Sequence, residues 1–207
     1  MSNGPLGSAF PQSQGLALAE KLAGTNRTTI CTLSDGAAME GEAKESLAAV
    51  PGLAQKGMLA PFVLIISDNN TKLSGRIDQD SFSMAPTFQS LEALGWKVIA
   101  LEKGNDLQSC AGALEQATEW AQKNPQKPVA VWAKTTKGIG TKKTAESASG
   151  GHGFPCKSPT ELTEFVKEIY GSDPVPSICQ PWIDELIAFS KSKTLKGEIV
   201  LIINNAI

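Results

Sequence analysis

Two short polar clusters in the sequence carry side chains suited to binding a cation. Ser-Asp-Gly at 34–36 follows the apolar run at 30–33, and Asp-Asn-Asn at 68–70 follows the apolar run at 62–66. Such runs, ending in turn-type residues, are typical of buried strands. In open parallel sheets, ligands bind at the carboxyl ends of the strands. Carboxylate, carboxamide and carbonyl oxygens suit Mg²⁺ or Ca²⁺ rather than zinc, so the pattern favours a diphosphate bound through a metal.

The composition excludes several classes of function. The chain has 207 residues, of which 41% are hydrophobic and 19% charged, as in an ordinary globular protein with one ample domain. A net charge of -2 gives no basic surface for nucleic acid or anionic membranes. The cysteines form no CxxC pair and there is one histidine, so no Cys/His zinc site is expected. No apolar run approaches the roughly 20 residues of a membrane-spanning helix. Without a secretory signal, the scattered cysteines indicate a cytoplasmic protein.

Strands that alternate with helices predict the sheet that would position these clusters. Strands are predicted at 28–33, 62–66, 96–101 and 128–133, with a strand-like run at 198–203; helices are predicted at 12–23, 39–50, 85–94, 106–123, 159–170 and 181–192. Pro51 and Gly52 are expected to end the second helix. The alternation predicts an α/β fold with an open, mainly parallel sheet and helices on both faces. A polar, glycine-rich segment at 134–158 is predicted to be a functional loop without regular structure.

Several short motifs occur in a fixed order along the chain. Ser34 opens the pattern Ser-Asp-Gly-x-x-Met-Glu-Gly-x-x-x-Glu, which, with Asp-Asn-Asn at 68–70, resembles the thiamine diphosphate motif that begins Gly-Asp-Gly and ends in Asn. Further motifs are Gly-Pro-Leu-Gly at 4–7, Gln-Gly-Leu-Ala at 14–17, Ser-Gly at 74–75, Gly-Trp at 95–96, Thr-Thr-Lys-Gly at 135–138 and His-Gly-x-Pro at 152–155. Over residues 4–156 this set resembles transketolase, which implies the diphosphate-binding (PP) type of the thiamine diphosphate-binding fold. An alternative interpretation of Gly4 to Ser8, the remnant of a cleaved tag, is disfavoured by the smooth continuation into the next helix.

The resemblance implies a cofactor, thiamine diphosphate, and a ligand set for its cation, Mg²⁺ or Ca²⁺. Asp35 and Asn69 would bind the cation through their side chains, and the carbonyl of Thr71 would be a third ligand. The diphosphate would supply further oxygens, in keeping with the preference of these cations for oxygen ligands. Gly36 would leave room for a phosphate at the start of the following helix.

The resemblance also implies contacts to the rings of the cofactor. Gly4, Pro5 and Leu6 would line the aminopyrimidine or thiazolium end. Leu73 falls where the family has an apolar residue against the thiazolium.

Four further residues are expected to be functional. His152 corresponds to the histidine near the diphosphate and the reactive carbon, and Lys137 is expected to contact the cofactor. Glu40 and Glu45 correspond to acidic positions that meet across the dimer interface and link the two cofactors. His152 and Glu40 are therefore the predicted catalytic residues.

Each of these residues also has a purely structural interpretation. Asp-Gly at 35–36 could form an ordinary strand-to-helix turn, and Asp-Asn-Asn at 68–70 suits any loop. His152 could be an exposed loop histidine, and Glu40 and Glu45 could lie on a solvated helix face. The joint occurrence of these motifs in the family order favours the cofactor site. Two departures from the family are Ser34, which replaces the first glycine, and Lys137, which stands where many transketolases have an apolar residue.

The predicted PP-like domain covers residues 1–170, and residues 171–207 form a C-terminal helix and tail with no assigned role. In this superfamily a glutamate on a second (Pyr) domain activates the aminopyrimidine, and we expect residues 157–207 to be too short for that domain. The family's segment of substrate-side histidines before Gly-Pro-Leu-Gly is also not expected here. The chain is therefore predicted to be a subunit or fragment, inactive alone. Together with a Pyr-domain partner, as a homo- or hetero-oligomer, it would transfer a two-carbon ketol unit between sugar phosphates.

Two alternatives stay open from the sequence. The chain could be a component of another thiamine diphosphate enzyme, such as a deoxyxylulose-phosphate synthase or a keto-acid dehydrogenase, although Met-Glu-Gly at 39–41 and His-Gly-x-Pro at 152–155 disfavour this. It could also be a non-catalytic remnant that keeps the fold and binds a partner.

Overall fold

The computed structural model describes residues 5–25, 27–152 and 159–170, with four single helical positions between 181 and 188. Gly4, the strand predicted at 198–203 and most of the helix predicted at 181–192 lie outside the described residues. Internal contacts divide the chain into two compact units, residues 1–136 and 137–207, which are described separately. The domain boundary at residue 170 stays a prediction. In the described part of the chain, no helix is long and apolar enough to cross a membrane.

The first unit is built on a four-stranded sheet in which every pair of neighbours is parallel. The strands are β1 (Thr29–Ser34), β2 (Phe62–Asp68), β3 (Lys97–Leu101) and β4 (Val129–Lys134), in the order β1-β2-β4-β3. Each of the four strands predicted in this region is present, displaced by one or two residues at its ends. The prediction of an α/β fold with a parallel sheet is confirmed.

Helices follow the strands in the predicted alternation. They are α1 (Ala9–Leu22), α2 (Gly41–Gln55), α3 (Ile77–Asp80), α4 (Ala85–Gln89) and α5 (Leu107–Lys123) in the first unit, and α6 (Lys142–Ala145) and α7 (Pro159–Tyr170) in the second. The prediction of a helix at 85–94 is wrong in its second half, because residues 90–95 form turns. The segment at 134–158 is also less irregular than predicted, because it contains the last residue of β4 and helix α6.

Both faces of the sheet are covered. Helices α1 and α2 bury Phe10, Leu47 and other apolar side chains against Leu64 on one face. Helix α5 covers the other face with alanines at 113, 117 and 121, spaced four residues apart on one side of the helix. Small side chains let this helix lie close to the valines of β2 and β4. The two layers fix the strand ends that carry the polar clusters.

Helix α2 continues through Pro51 to Gln55, so the predicted helix end at Pro51 and Gly52 is wrong. A proline in a helix lacks the N–H that would bond to the carbonyl four residues earlier, here that of Leu47. The indole N–H of Trp96 donates to this carbonyl at 2.8 Å, in a buried position. A tertiary contact from the residue before β3 thus satisfies the group that the proline leaves without a backbone donor.

Candidate functional site

The turn after β1 buries the carboxylate of Asp35 at the carboxyl edge of the sheet. Its backbone N–H donates to the carbonyl of Ser67 in β2 at 3.1 Å, and the residue is only 1% exposed. Asp35 Oδ1 accepts the N–H of Gly36 at 2.9 Å. Asp35 Oδ2 accepts the N–H of Asn69 at 3.0 Å and that of Asn70. One carboxylate therefore joins the ends of two neighbouring strands.

The loop that follows β2 presents the other two predicted ligands. Asn69 Oδ1 accepts the backbone N–H of Thr71 at 3.0 Å and also its hydroxyl. Asn70 has φ of 56°, a left-handed conformation that asparagine tolerates, and its Oδ1 accepts the N–H of Asp78 at 3.0 Å. Thr71 is buried, and its carbonyl oxygen lies 3.5 Å from the position of a Cβ added to Gly36. The carboxamide and the carbonyl thus lie beside the turn after β1.

Leu73 lies at the tip of this loop with 68% of its surface exposed. The loop is closed by the backbone N–H of Lys72, which donates to the carbonyl of Gly75 at 2.9 Å, and by a salt bridge of 3.1 Å from Lys72 to Asp80. An apolar side chain is therefore held exposed by a loop whose backbone is internally bonded. Its predicted contact with the thiazolium ring stays a prediction.

Burial raises the pKa of the Asp35 carboxyl above its ordinary value. The backbone N–H groups of Asn70, Gly36 and Asn69 oppose this rise, and the negative charge of Asp68 adds to it. Ionised Asp35 is thus disfavoured where it stands, because it has lost hydration and faces a second carboxylate. A bound cation would compensate both effects.

The donor chemistry fits the cation that the resemblance implies. The three groups are a carboxylate, a carboxamide oxygen and a backbone carbonyl, all hard oxygen donors. Each carboxylate oxygen has two lone pairs, and Asp35 Oδ1 accepts one hydrogen bond, from Gly36. Rotation of the Thr71 hydroxyl would free one lone pair of Asn69 Oδ1. Among the described residues there is no cluster of three or more His, Cys, Asp or Glu side chains that could hold a metal ion.

Gly7 lies against the helical turn at 37–39 and the N-cap of α2, and the Ser8 hydroxyl donates to Glu42 in the first turn of α2. Gly7 has φ of +86°, and a Cβ there would lie 2.7 Å from the Cβ of Glu40 and 3.3 Å from the carbonyl oxygen of Ala37. Only glycine permits this approach without strain. Pro5 and Leu6 are exposed next to it, and Glu40 is exposed at the N-cap of α2. Two of the three residues predicted to line the cofactor rings are therefore held near the Asp35 turn.

Lys137 and His152 belong to the second unit. Lys137 packs against Gly150, where a Cβ would lie 2.5 Å from the lysine Cγ. His152 is exposed, and its backbone N–H donates to the carbonyl of Ser149 at 3.3 Å. Within this unit the two predicted residues lie on either side of α6. Their contact with the cofactor stays a prediction.

Comparison with known proteins identifies the family. The model of the family "Transketolase, thiamine diphosphate binding domain" matches residues 1–200. The chain belongs to this family. Transketolase from Staphylococcus epidermidis is 35% identical over 206 residues, which are 95% of this chain and 29% of that protein. Transketolase from Bacillus subtilis is 35% identical over 179 residues, 82% of this chain and 25% of that protein. The chain thus spans less than a third of the length of these relatives.

Solved transketolase structures have the same fold as this transketolase-family domain. Transketolase from Leishmania mexicana superposes with a TM-score of 0.62 at 26% identity, over 92% of this chain and 29% of that chain. Transketolase from Campylobacter jejuni gives a TM-score of 0.60 at 26% identity, over 93% of this chain and 30% of that chain. The fold predicted from the resemblance is confirmed.

The transketolase-family motifs do not reveal two further residues at the site. Asp68 Oδ2 accepts the indole N–H of Trp132 at 2.7 Å and also forms a salt bridge with Lys134. Both partners lie on β4, which pairs with β2 so that Asp68 and Lys134 are register partners. Sequence reasoning missed them because β4 is distant in the chain. The one signal in the sequence for this contact was Lys134, which directly follows a predicted strand of the parallel sheet.

Proposed function

We propose that this domain binds thiamine diphosphate through Mg²⁺ or Ca²⁺ at the carboxyl edge of β1 and β2. The observation that carries the proposal is the buried Asp35 carboxylate, joined by hydrogen bonds to Asn69 and flanked by the carbonyl of Thr71. Membership of the thiamine diphosphate-binding domain family supports it. Asp35, Asn69 and the Thr71 carbonyl would hold the cation, and the diphosphate would complete its oxygen ligands.

The remaining residues of the first unit would orient the cofactor. Gly36 has no side chain where a phosphate would approach the short helical turn at 37–39. Exposed Leu73 would pack on the thiazolium ring, and Pro5 and Leu6 would line the adjacent ring surface, each excluding water from it. When bound, thiamine diphosphate supplies the nucleophilic carbon for transfer of a two-carbon ketol unit. The protein would orient the cofactor and provide the charged groups around it.

A transketolase-type reaction would require more protein than this chain. The relatives are more than three times longer, which supports a Pyr-domain partner or second half in a homo- or hetero-oligomer. In that assembly two exposed residues, Glu40 at the N-cap of α2 and Glu45 within it, would link the two cofactor sites. Lys137 and His152 would approach the diphosphate and the sugar-phosphate substrate. The chain alone is expected to bind the cofactor without turnover.

Calorimetric titration with thiamine diphosphate, with and without Mg²⁺, tests the cofactor site. The purified chain is expected to bind only when Mg²⁺ is present, and Asp35→Ala should abolish that binding. Asp78→Ala is the matched control, because it removes an exposed carboxylate in α3, just after the same loop. Equal loss in both variants, or binding that ignores Mg²⁺, would refute the assignment.

A second titration, with a Pyr-domain transketolase subunit added, tests the need for a partner. If ketol transfer appears only in the mixture, the chain is one half of an enzyme. If binding is seen but neither a sugar-phosphate donor nor pyruvate is consumed, the domain is a non-catalytic remnant. Consumption of pyruvate instead of the sugar phosphate would assign it to another class of thiamine diphosphate enzyme.

A further inference from the structure

Asp68, Trp132 and Lys134 form a charge cluster at the ends of β2 and β4. The Asp68 side chain is 11% exposed and that of Lys134 is 43% exposed. The lysine ammonium binds Asp68 Oδ2 and lies 4.6 Å from the centre of the Trp132 ring, whose N–H donates to the same oxygen at 2.7 Å. Two donors on β4 therefore converge on one carboxylate oxygen of β2.

This carboxylate is next in sequence to Asn69, yet it is bonded away from the proposed cation site. Its charge is nevertheless close to that site, because the N–H of the next residue, Asn69, donates to Asp35 Oδ2 at 3.0 Å. Asp68 is a hard oxygen donor of the same kind as Asp35. Without its partners on β4, it would add a second negative charge beside the site, or enter the coordination shell itself.

We infer that Lys134 is a positioning residue that neutralises Asp68 and thereby makes cation binding at Asp35 and Asn69 depend on the diphosphate. The inference rests on the proposed function. With Lys134 in place, the protein offers the cation one uncompensated carboxylate and neutral oxygens, so the cation binds weakly alone. The diphosphate then supplies the negative charge that makes the ternary complex stable. Trp132 holds the Asp68 carboxylate in the orientation in which Lys134 reaches it.

The expected size of the effect follows from the charge that is exposed. Removal of the lysine uncovers one negative charge several ångströms from a divalent cation, at a partly hydrated edge of the sheet. Solvent and salt weaken this attraction, which leaves a gain in affinity for the cation alone of about three- to tenfold. A lysine that served only to support the fold would have the opposite effect, because its loss would loosen the loop that begins at Asn69.

Electron paramagnetic resonance of Mn²⁺, an oxygen-preferring substitute for Mg²⁺, provides the test on the full chain. Free Mn²⁺ is measured in titrations with and without thiamine diphosphate. Lys134→Met should bind Mn²⁺ alone about three- to tenfold more tightly than the wild type, and the gain should shrink when the cofactor is present. Lys134→Arg should behave as the wild type. Asp68→Asn combined with Lys134→Met should remove the gain.

Two controls separate the possible failures. Lys103→Met removes an exposed positive charge from the same edge, where Lys103 and Lys134 line one cavity of about 480 Å³, and should leave the affinity for Mn²⁺ alone unchanged. Urea unfolding verifies that each variant is folded. If the wild type binds Mn²⁺ with the cofactor but Lys134→Met is not tighter without it, the inference is overturned and the proposed function stands. If the wild type binds no Mn²⁺ even with thiamine diphosphate, both are overturned.

Discussion

Trp96→Phe tests whether an indole replaces the backbone hydrogen bond that Pro51 removes from α2. The Trp96 N–H lies 2.8 Å from the Leu47 carbonyl oxygen, and the tryptophan is 1% exposed. Phenylalanine keeps an aromatic ring in the cluster with Phe10 and Phe62, whose ring centres lie 6.3 and 6.2 Å from that of Trp96. The substitution therefore removes the donor and leaves most of the packing.

The expected loss of stability has two parts. A buried carbonyl left without a donor costs about 1–3 kcal/mol. The smaller ring leaves a small void, which adds about 1 kcal/mol. The free energy of unfolding should therefore fall by about 2–4 kcal/mol. In a Pro51→Ala background, residue 51 has its own N–H for the Leu47 carbonyl, and Trp96→Phe should then cost only about 1 kcal/mol.

Urea unfolding followed by circular dichroism gives the four free energies of this double-mutant cycle. The two substitutions should couple by about 1–3 kcal/mol, since Pro51→Ala rescues only the hydrogen-bond part. Trp120→Phe is the control, because its N–H donates to the carbonyl of Lys127, outside α2. It should have the same effect in both backgrounds. A coupling below about 0.5 kcal/mol for Trp96 would show that the Leu47 carbonyl is satisfied by another route.

Two further predictions concern the proposed cofactor site. Gly36→Ala should leave the free energy of unfolding nearly unchanged, because φ of residue 36 is -62° and a Cβ would lie 3.5 Å from the Thr71 carbonyl oxygen, in ordinary contact. Calorimetry should nevertheless show weaker binding of thiamine diphosphate. An unchanged affinity would exclude a close approach of the phosphate to residue 36. Burial raises the pKa of Asp35 in the folded protein above its ordinary value of 3.8. The cofactor-free protein should therefore lose stability as the pH rises from 3.8 through the folded-state pKa, and Asp35 should cause no further loss at higher pH. Urea unfolding of wild type and Asp35→Asn over about pH 4 to 7 should show this slope only in the wild type, and equal slopes would refute it.

The local parts of the fold follow from the sequence because their causes are local. Apolar runs ending in turn residues predict β1 and β2, and helical periodicity predicts α5, which begins after the N-cap Asp106. Helix α2 is different. Its continuation past Pro51 depends on a donor that lies 49 residues from Leu47 in the sequence, so no rule for helix ends could have predicted it.

The same distinction applies to the candidate site. Asp35 and Asn69 are predictable, because each directly follows a strand and parallel neighbours end at the same edge. The partners of Asp68 depend on β4 lying beside β2, with β3 beyond it at the sheet edge. An equally regular alternation of strands and helices would permit β3 in that place, and Asp68 would then lack Lys134. The motif thus specifies the atoms that we propose as cation ligands, whereas strand order sets the charge those atoms experience. Among members of the family that share the motif, the affinity for the cation alone should therefore vary with the residue opposite Asp68.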